Sequence, residues 1–168
     1  VYNQAIQHQN LDIIKLLDMY DYPKDESFLG IAIKTDNVEI IDYFYQLGYV
    51  HESSDIPGII RSSSFNVFRY YYEKGIRDKK AICIACRYNN ESILRYLIDK
   101  KEAIPITCYY ELITHKKYSL LKLILDAGYT FGEKVFRHAV LSDDLAIIKL
   151  LHFHRDIDSD MLETAIED

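Results

Sequence analysis

A pattern of about 27 residues recurs along the whole chain and limits the folds open to it. Its clearest form is AIKTDNVEIIDYFYQLG at residues 32–48, and five further segments match this template. The segments have anchor positions 5, 32, 59, 85, 112 and 139, with the start of a seventh at 165, so successive anchors lie 26 or 27 residues apart. A unit of this size cannot bury an apolar face alone, so neighbouring units must stack to form a continuous core.

Each unit has the pattern of two short helices. The anchor is mostly Ala, the next residue is apolar in every unit, and another apolar or aromatic residue stands three positions before the anchor. This spacing places all three on one face of a first helix, A. A polar residue five positions after the anchor ends helix A and is expected to cap a second helix, B. These predicted caps are Asn10, Asn37, Ser64, Asn90, Lys117 and Asp144.

Helix B carries two apolar pairs that begin three residues apart, which gives a broad apolar stripe. Gly48, Gly75 and Gly128 follow the stripe, where a left-handed C-cap favours glycine. The predicted fold class is therefore all-α, built from stacked helix–turn–helix units.

The run A-x-x-x-x-N-x-x-I-I-x-Y-x-x-x-x-G resembles the ankyrin repeat, from the middle of helix A to the end of helix B, over essentially the whole chain. Two departures stand out. The T-P-L-H opening of that repeat is replaced by residues such as Ser27-Phe28-Leu29-Gly30, and the unit is about six residues short where ankyrin repeats project a β-hairpin. The resemblance implies an ankyrin-like solenoid with short loops instead of long β-hairpins. The short, Ile- and Tyr-rich units are similar to the divergent ankyrin arrays of large DNA viruses and amoebae.

Both ends keep the internal pattern. Met161, Leu162 and Ile166 near the C-terminus continue the apolar positions of the units, whereas a capping repeat would be polar. We expect residues 1–168 to form a single repeat array that is part of a longer one.

Overall charge and apolar content narrow the functions that are open. A net charge of −6 disfavours nucleic acid as a partner, because such binding depends on Lys and Arg neutralising phosphates. No uncharged apolar stretch approaches 18 residues, so no membrane helix is expected. Three cysteines are an odd number without the spacing of a secreted disulfide framework. We therefore expect an intracellular protein, in the cytoplasm or nucleus, or in the host cell if the protein is viral.

Motifs for catalysis or metal binding are weak. Cys83-x-x-Cys86 has the spacing of half a zinc site, but no second pair exists, and the repeat places both residues in helix A as small buried side chains. His152-x-His154, followed by Asp156 and Asp158, falls at the predicted end of helix B. No nucleophile elbow or phosphate-binding loop is present. We expect no enzyme activity, cofactor, metal or small-molecule substrate.

One pair of surface positions suggests a binding site. The positions two and three residues after the anchor place Lys34, Arg61 and Arg87 in successive units, with Tyr88 and His115 beside them. In ankyrin-like proteins this end of helix A faces the concave groove. Arg and Tyr are enriched in interface hot spots, so the row is predicted to bind another protein with an acidic surface or peptide. The alternative is an ordinary solvated stripe.

The prediction from the sequence is a protein–protein interaction scaffold that binds through the concave helix A and loop face. A structural spacer or assembly element within a larger protein or viral particle is the alternative. An accessory domain of an enzyme whose active part lies elsewhere is a third possibility.

Overall fold

The computed structural model describes residues 1–49 and 52–164, with side chains described up to residue 154. This part of the chain contains twelve α-helices, one 3-10 turn at Ser53–Asp55 and no β-strand, which confirms the all-α class. The helices are α1 (Tyr2–Gln7), α2 (Leu11–Met19), α3 (Phe28–Lys34), α4 (Val38–Gln46), α5 (Ile56–Arg61), α6 (Phe65–Glu73), α7 (Ala81–Arg87), α8 (Glu91–Asp99), α9 (Ile106–Thr114), α10 (Tyr118–Asp126), α11 (Glu133–Leu141) and α12 (Leu145–Thr164). The seventh anchor, Ala165, lies outside the described residues.

The chain divides into two compact units, Val1–Ile84 and Ala85–Asp168. In the first unit, α1 packs against α2, α3 against α4, and α5 against α6, so each pair forms a hairpin. Equivalent helices also pack on each other from one hairpin to the next: α1 on α3, α3 on α5, and α4 on α6. Helices of this unit therefore pack both within a hairpin and between neighbouring hairpins.

The second unit repeats the same contacts. Helix α9 packs against α10 and α11 against α12, which again gives hairpins. Between hairpins, α9 contacts α11, α8 contacts α10, and α10 contacts α12. Whether the six sequence units form one array stays a prediction.

A left-handed residue ends helix A at the same point in all six sequence units. The residue four positions after each anchor has φ between +52° and +59°, although none is glycine. The six residues are Gln9, Asp36, Ser63, Asn89, Lys116 and Asp143. This conformation turns the backbone sharply, so the next residue stands at the N-terminus of helix B.

Four of the six predicted N-caps form. Asn10, Asn37, Asn90 and Asp144 each accept bonds from the first free backbone N–H groups of the helix they precede. The prediction was wrong for Ser64 and Lys117, whose side chains make no such bond.

A contact between hairpins replaces the missing cap of α6, and Lys117 makes a different contact with the preceding hairpin. Asp36 Oδ1 accepts a bond from the backbone N–H of Val67 at 2.9 Å, so a residue of the preceding hairpin caps α6 in place of Ser64. The Lys117 ammonium donates to the carbonyl of Cys86 at 2.7 Å and also bonds the carbonyl of Arg87. It therefore satisfies carbonyls at the C-terminal end of the preceding helix A, where a cation is also favoured by the helix dipole.

The glycine C-caps behave as predicted. Gly48, Gly75 and Gly128 have φ of +85°, +82° and +84°. Asp21 and Lys101 hold the equivalent position in the left-handed region without being glycine. The sixth unit differs, because α12 continues through Arg155 to Thr164 where a loop was expected.

The predicted apolar positions form the core, with a few exceptions at the two ends. Ala32, Ala85, Ala139 and most of the paired Ile, Leu and Phe positions are fully buried. Phe44 lies in an aromatic cluster, with ring centroids of Phe28, Tyr49 and Tyr2 at 5.0, 6.0 and 6.3 Å. The prediction of a buried side chain was wrong for Ile13, Leu16 and Val140, which are exposed.

Candidate functional site

The five predicted binding residues all lie at the C-terminal end of a helix A and are all exposed. Lys34, Arg61 and Arg87 are the last residues of α3, α5 and α7, Tyr88 follows α7, and His115 is the C-cap of α9. Their common position follows from the left-handed turn, because the residues just before it sit on the solvent side of the last helical turn. Lys34 and Arg61 belong to the first compact unit, and the other three belong to the second.

In the first unit, Lys34 borders an open cavity of about 430 Å³ lined by Gln7, Gln9, Ile31 and Thr35. The Gln9 amide oxygen accepts a bond from Asn37 at 3.1 Å, and the Thr35 hydroxyl donates to the carbonyl of Ala32 at 2.7 Å. Lys34 has no ion-pair partner in the part of the chain that the structure describes. The cavity therefore combines an apolar wall at Ile31 with an exposed cation, a pairing suited to a peptide that carries an acidic side chain.

In the second unit, a carboxylate of the chain itself, that of Glu111, already binds the cationic side chain of Arg87. Glu111 Oε1 lies 3.0 Å from Arg87 Nε, and Glu111 Oε2 lies 3.4 Å from Arg87 Nη2, so the guanidinium is bound in a two-point contact. His115 Nε2 is 3.6 Å from the same Oε1. The hydrogen bond from Arg87 holds the pKa of Glu111 below its usual value, with the charges of Arg87 and His115 acting in the same direction. Glu111 thus offsets part of the positive charge predicted for this surface.

Glu111 was missed by sequence reasoning, although a positional signal exists. Glu111 stands one residue before the anchor at position 112, and Arg87 stands two residues after the preceding anchor at position 85. The same two positions are in contact between the next pair of hairpins, where the Thr114 hydroxyl and His138 Nε2 are 3.1 Å apart. In the first unit the residues that stand in the same relation to Lys34 and Arg61 are Gly58 and Ile84, which have no polar side chain.

The other candidate groups are structural. Cys86 is fully buried with a free thiol, and burial raises its pKa to about 12, so it is not activated as a nucleophile. Its partner in the Cys-x-x-Cys pattern, Cys83, is half-buried. His154 Nε2 lies 3.4 Å from Asp126 Oδ1, while the side chains of Asp156 and Asp158 lie outside the described part.

Two aspartates on helix B join neighbouring hairpins of the first unit. Asp42 accepts a bond from the Tyr70 hydroxyl at 2.6 Å. Asp18 accepts bonds from the hydroxyls of Tyr2 and Tyr43 at 3.0 and 2.8 Å. The Lys24 ammonium lies 2.5 Å from Asp18 Oδ1, the oxygen that also accepts the bond from Tyr2. The bonds from Tyr43 and Tyr70 join the B helices of successive hairpins, whereas the predicted binding residues lie at the ends of the A helices.

Comparisons with protein-family models, with curated proteins and with solved structures gave no match to this chain. Within the described residues, none of the helices has the length and apolar character needed to span a bilayer.

Proposed function

We propose that the chain is a protein–protein interaction scaffold, an ankyrin-like solenoid that binds an acidic segment of a partner protein at the C-terminal ends of its A helices. The observation that carries the proposal is the common exposure of Lys34, Arg61, Arg87, Tyr88 and His115 at one structural position of successive units. The resemblance to the ankyrin repeat supports this function only weakly, because proteins that share a fold can have different functions.

The first unit is proposed to provide most of the binding energy. Lys34 borders a cavity with an apolar wall, whereas Arg87 is already bound to Glu111. An acidic ligand at Arg87 must first displace Glu111, and this exchange offsets much of the gain. A ligand carboxylate at Lys34 displaces only water.

The proposal is tested by selecting peptides from a displayed random library with this chain as bait. Enriched peptides are expected to carry Asp or Glu next to an apolar residue. Reversing both charges in a Lys34→Glu/Arg61→Glu variant is expected to weaken their binding at least about tenfold, which corresponds to about 1.4 kcal/mol. Both residues are exposed, so the helical circular dichroism signal should be unchanged.

Arg69→Glu/Lys149→Glu provides the matched control. Both residues are exposed and lie on B helices, α6 and α12, and their reversal changes the net charge by the same amount as in the test variant. This double variant is expected to leave peptide affinity within about twofold. Equal losses in both variants would attribute binding to overall charge and would contradict a defined site.

The second candidate function is a spacer or assembly element. The specific observation in its favour is the Arg87–Glu111–His115 cluster. A cation that is already paired with a carboxylate of its own chain attracts an acidic partner less strongly. A library selection that enriches no peptide over the background would favour this function.

A further inference from the structure

The groove between α4 and α6, two successive B helices of the first unit, is filled by side chains of the chain itself. The rings of Tyr45 and Tyr70 meet edge to face with their centroids 6.4 Å apart. The Lys74 ammonium lies 5.1 Å from the Tyr45 centroid and 5.3 Å from the Tyr70 centroid. The Tyr70 hydroxyl donates to Asp42 Oδ1 at 2.6 Å. A phenol held by a carboxylate and a cation therefore closes this groove.

The groove between α8 and α10, two successive B helices of the second unit, is open. Ile98, Leu123 and Ala127 stand at the positions of the two tyrosines and the lysine, counted from their anchors. All three are smaller than their counterparts, and all three line a cavity of about 430 Å³. Sites for small ligands have volumes of roughly 300–1,000 Å³, so the space left by the smaller side chains is large enough for an aromatic ring.

We propose that this cavity binds a tyrosine side chain of a partner protein, at a site separate from the ends of the A helices. Ile98 and Leu123 are half-buried and provide an apolar wall for the ring. Asp99 is exposed and also lines the cavity, and its carboxylate has no hydrogen-bond or ion-pair partner among the side chains that the structure describes. This carboxylate can accept the phenolic O–H, as Asp42 accepts that of Tyr70.

The charges around the cavity favour a neutral phenol over an acidic or phosphorylated side chain, because both cations that line it are already paired within their own helices. Arg95 Nη2 lies 2.7 Å from Glu91 Oε1. Lys122 Nζ lies 2.7 Å from Asp126 Oδ2. An anionic ligand would have to displace one of these carboxylates and would face the unpaired charge of Asp99. A phenol leaves both ion pairs intact, and a neighbouring cation can lie near its ring, as in the first unit.

The test measures binding of N-acetyltyrosinamide, which carries the proposed side chain, by two-dimensional amide NMR of the whole chain. Saturable shifts are expected for residues 95–99 and 119–127, which include the residues that line the cavity. The dissociation constant should be on the order of 1–10 mM for so small a ligand. The corresponding phenylalanine amide lacks the hydroxyl and is expected to bind about three- to tenfold more weakly. The corresponding lysine amide should also bind more weakly than the tyrosine amide, because its narrow chain covers less of the apolar wall.

Three variants separate the parts of the site. Leu123→Tyr places a ring of the chain itself in the cavity, in the manner of Tyr70, and should abolish the shifts. Ala127→Lys introduces the counterpart of Lys74 and should do the same. Because Ala127 is exposed, this variant serves if Leu123→Tyr does not fold. Asp99→Ala should lower the affinity for the tyrosine amide about three- to tenfold and leave that for the phenylalanine amide unchanged.

Ala103→Lys is the matched control. Ala103 is exposed in the loop between α8 and α9 and does not line the cavity, and the substitution adds the same charge as Ala127→Lys. It should leave the affinity for the tyrosine amide unchanged. Absence of saturable shifts at the cavity residues of the unmodified chain would overturn the proposal. So would shifts that persist in both blocking variants, or a phenylalanine or lysine amide that binds as tightly as the tyrosine amide.

Discussion

The same substitution, glycine to alanine, should have opposite effects at two positions of the first compact unit. Gly75 follows α6 with φ of +82°, whereas Gly30 lies inside α3, outside the left-handed region. At both positions an added Cβ would meet no atom within 4 Å, so steric contacts do not distinguish them. The difference in stability must then come from the backbone conformation alone.

The magnitudes follow from that difference. Gly75→Ala forces an L-residue into the left-handed region, which costs about 1–2 kcal/mol. Gly30→Ala removes a flexible residue from the interior of an exposed helical turn and stabilises by about 0.5–1 kcal/mol. The two variants should therefore differ in free energy of unfolding by roughly 1.5–3 kcal/mol.

Urea denaturation followed by far-ultraviolet circular dichroism measures this difference. Both residues lie in the unit Val1–Ile84, so both variants report on the stability of the same unit. The midpoint should fall for Gly75→Ala and rise for Gly30→Ala. Shifts of the same sign would refute the assignment of Gly75 as a left-handed cap and Gly30 as a helical residue.

Three further predictions concern the core and the charged groups. Phe44→Ala removes a fully buried ring from the aromatic cluster and should destabilise the chain by about 3–5 kcal/mol in the same urea assay; a loss below about 1 kcal/mol would contradict its central position. Burial and the bond to Asp18 raise the pKa of Tyr43 from 10.0 to about 12, so its contribution to stability is complete below pH 10 and is lost as the pH rises towards 12. Tyrosinate absorbance should therefore rise together with loss of helix in that window, and Tyr43→Phe should reduce the alkaline loss. The pKa of Glu111 is lowered, so its contribution is present above pH 4.5 and is lost as the pH falls below that value; Glu111→Gln should flatten the acid limb of the stability curve and strengthen binding of acidic peptides.

The sequence predicted the helices well because their signals are local. A helix buries one face, so its apolar residues must recur with the period of the backbone, and the polar break positions must supply caps. Asn10 and Gly48 could be assigned from chemistry that involves only adjacent backbone groups. The same reasoning explains why α12 was predicted too short. The end of this helix was placed at Arg155 because Arg155 aligns with Gly128, but Arg155 is not a glycine and the helix continues.

The features that were missed depend on contacts between hairpins. The cap that Asp36 provides for α6, and the bond that Arg87 donates to Glu111, join residues that lie 31 and 24 positions apart. A single unit of the pattern contains no information about which side chain of the next unit lies beside it. The exposed cations were located correctly, but the charge balance around them required the stacked arrangement.

Hydrogen exchange with a library-selected acidic peptide bound to the chain locates the proposed binding site. We expect the peptide to slow amide exchange at the C-terminal ends of α3 and α5, including residues 31–36 and 58–64, and to leave exchange in α4 and α6 unchanged. Slower exchange confined to α4 and α6 would place the binding site on the B helices and would contradict a scaffold that binds through the ends of its A helices.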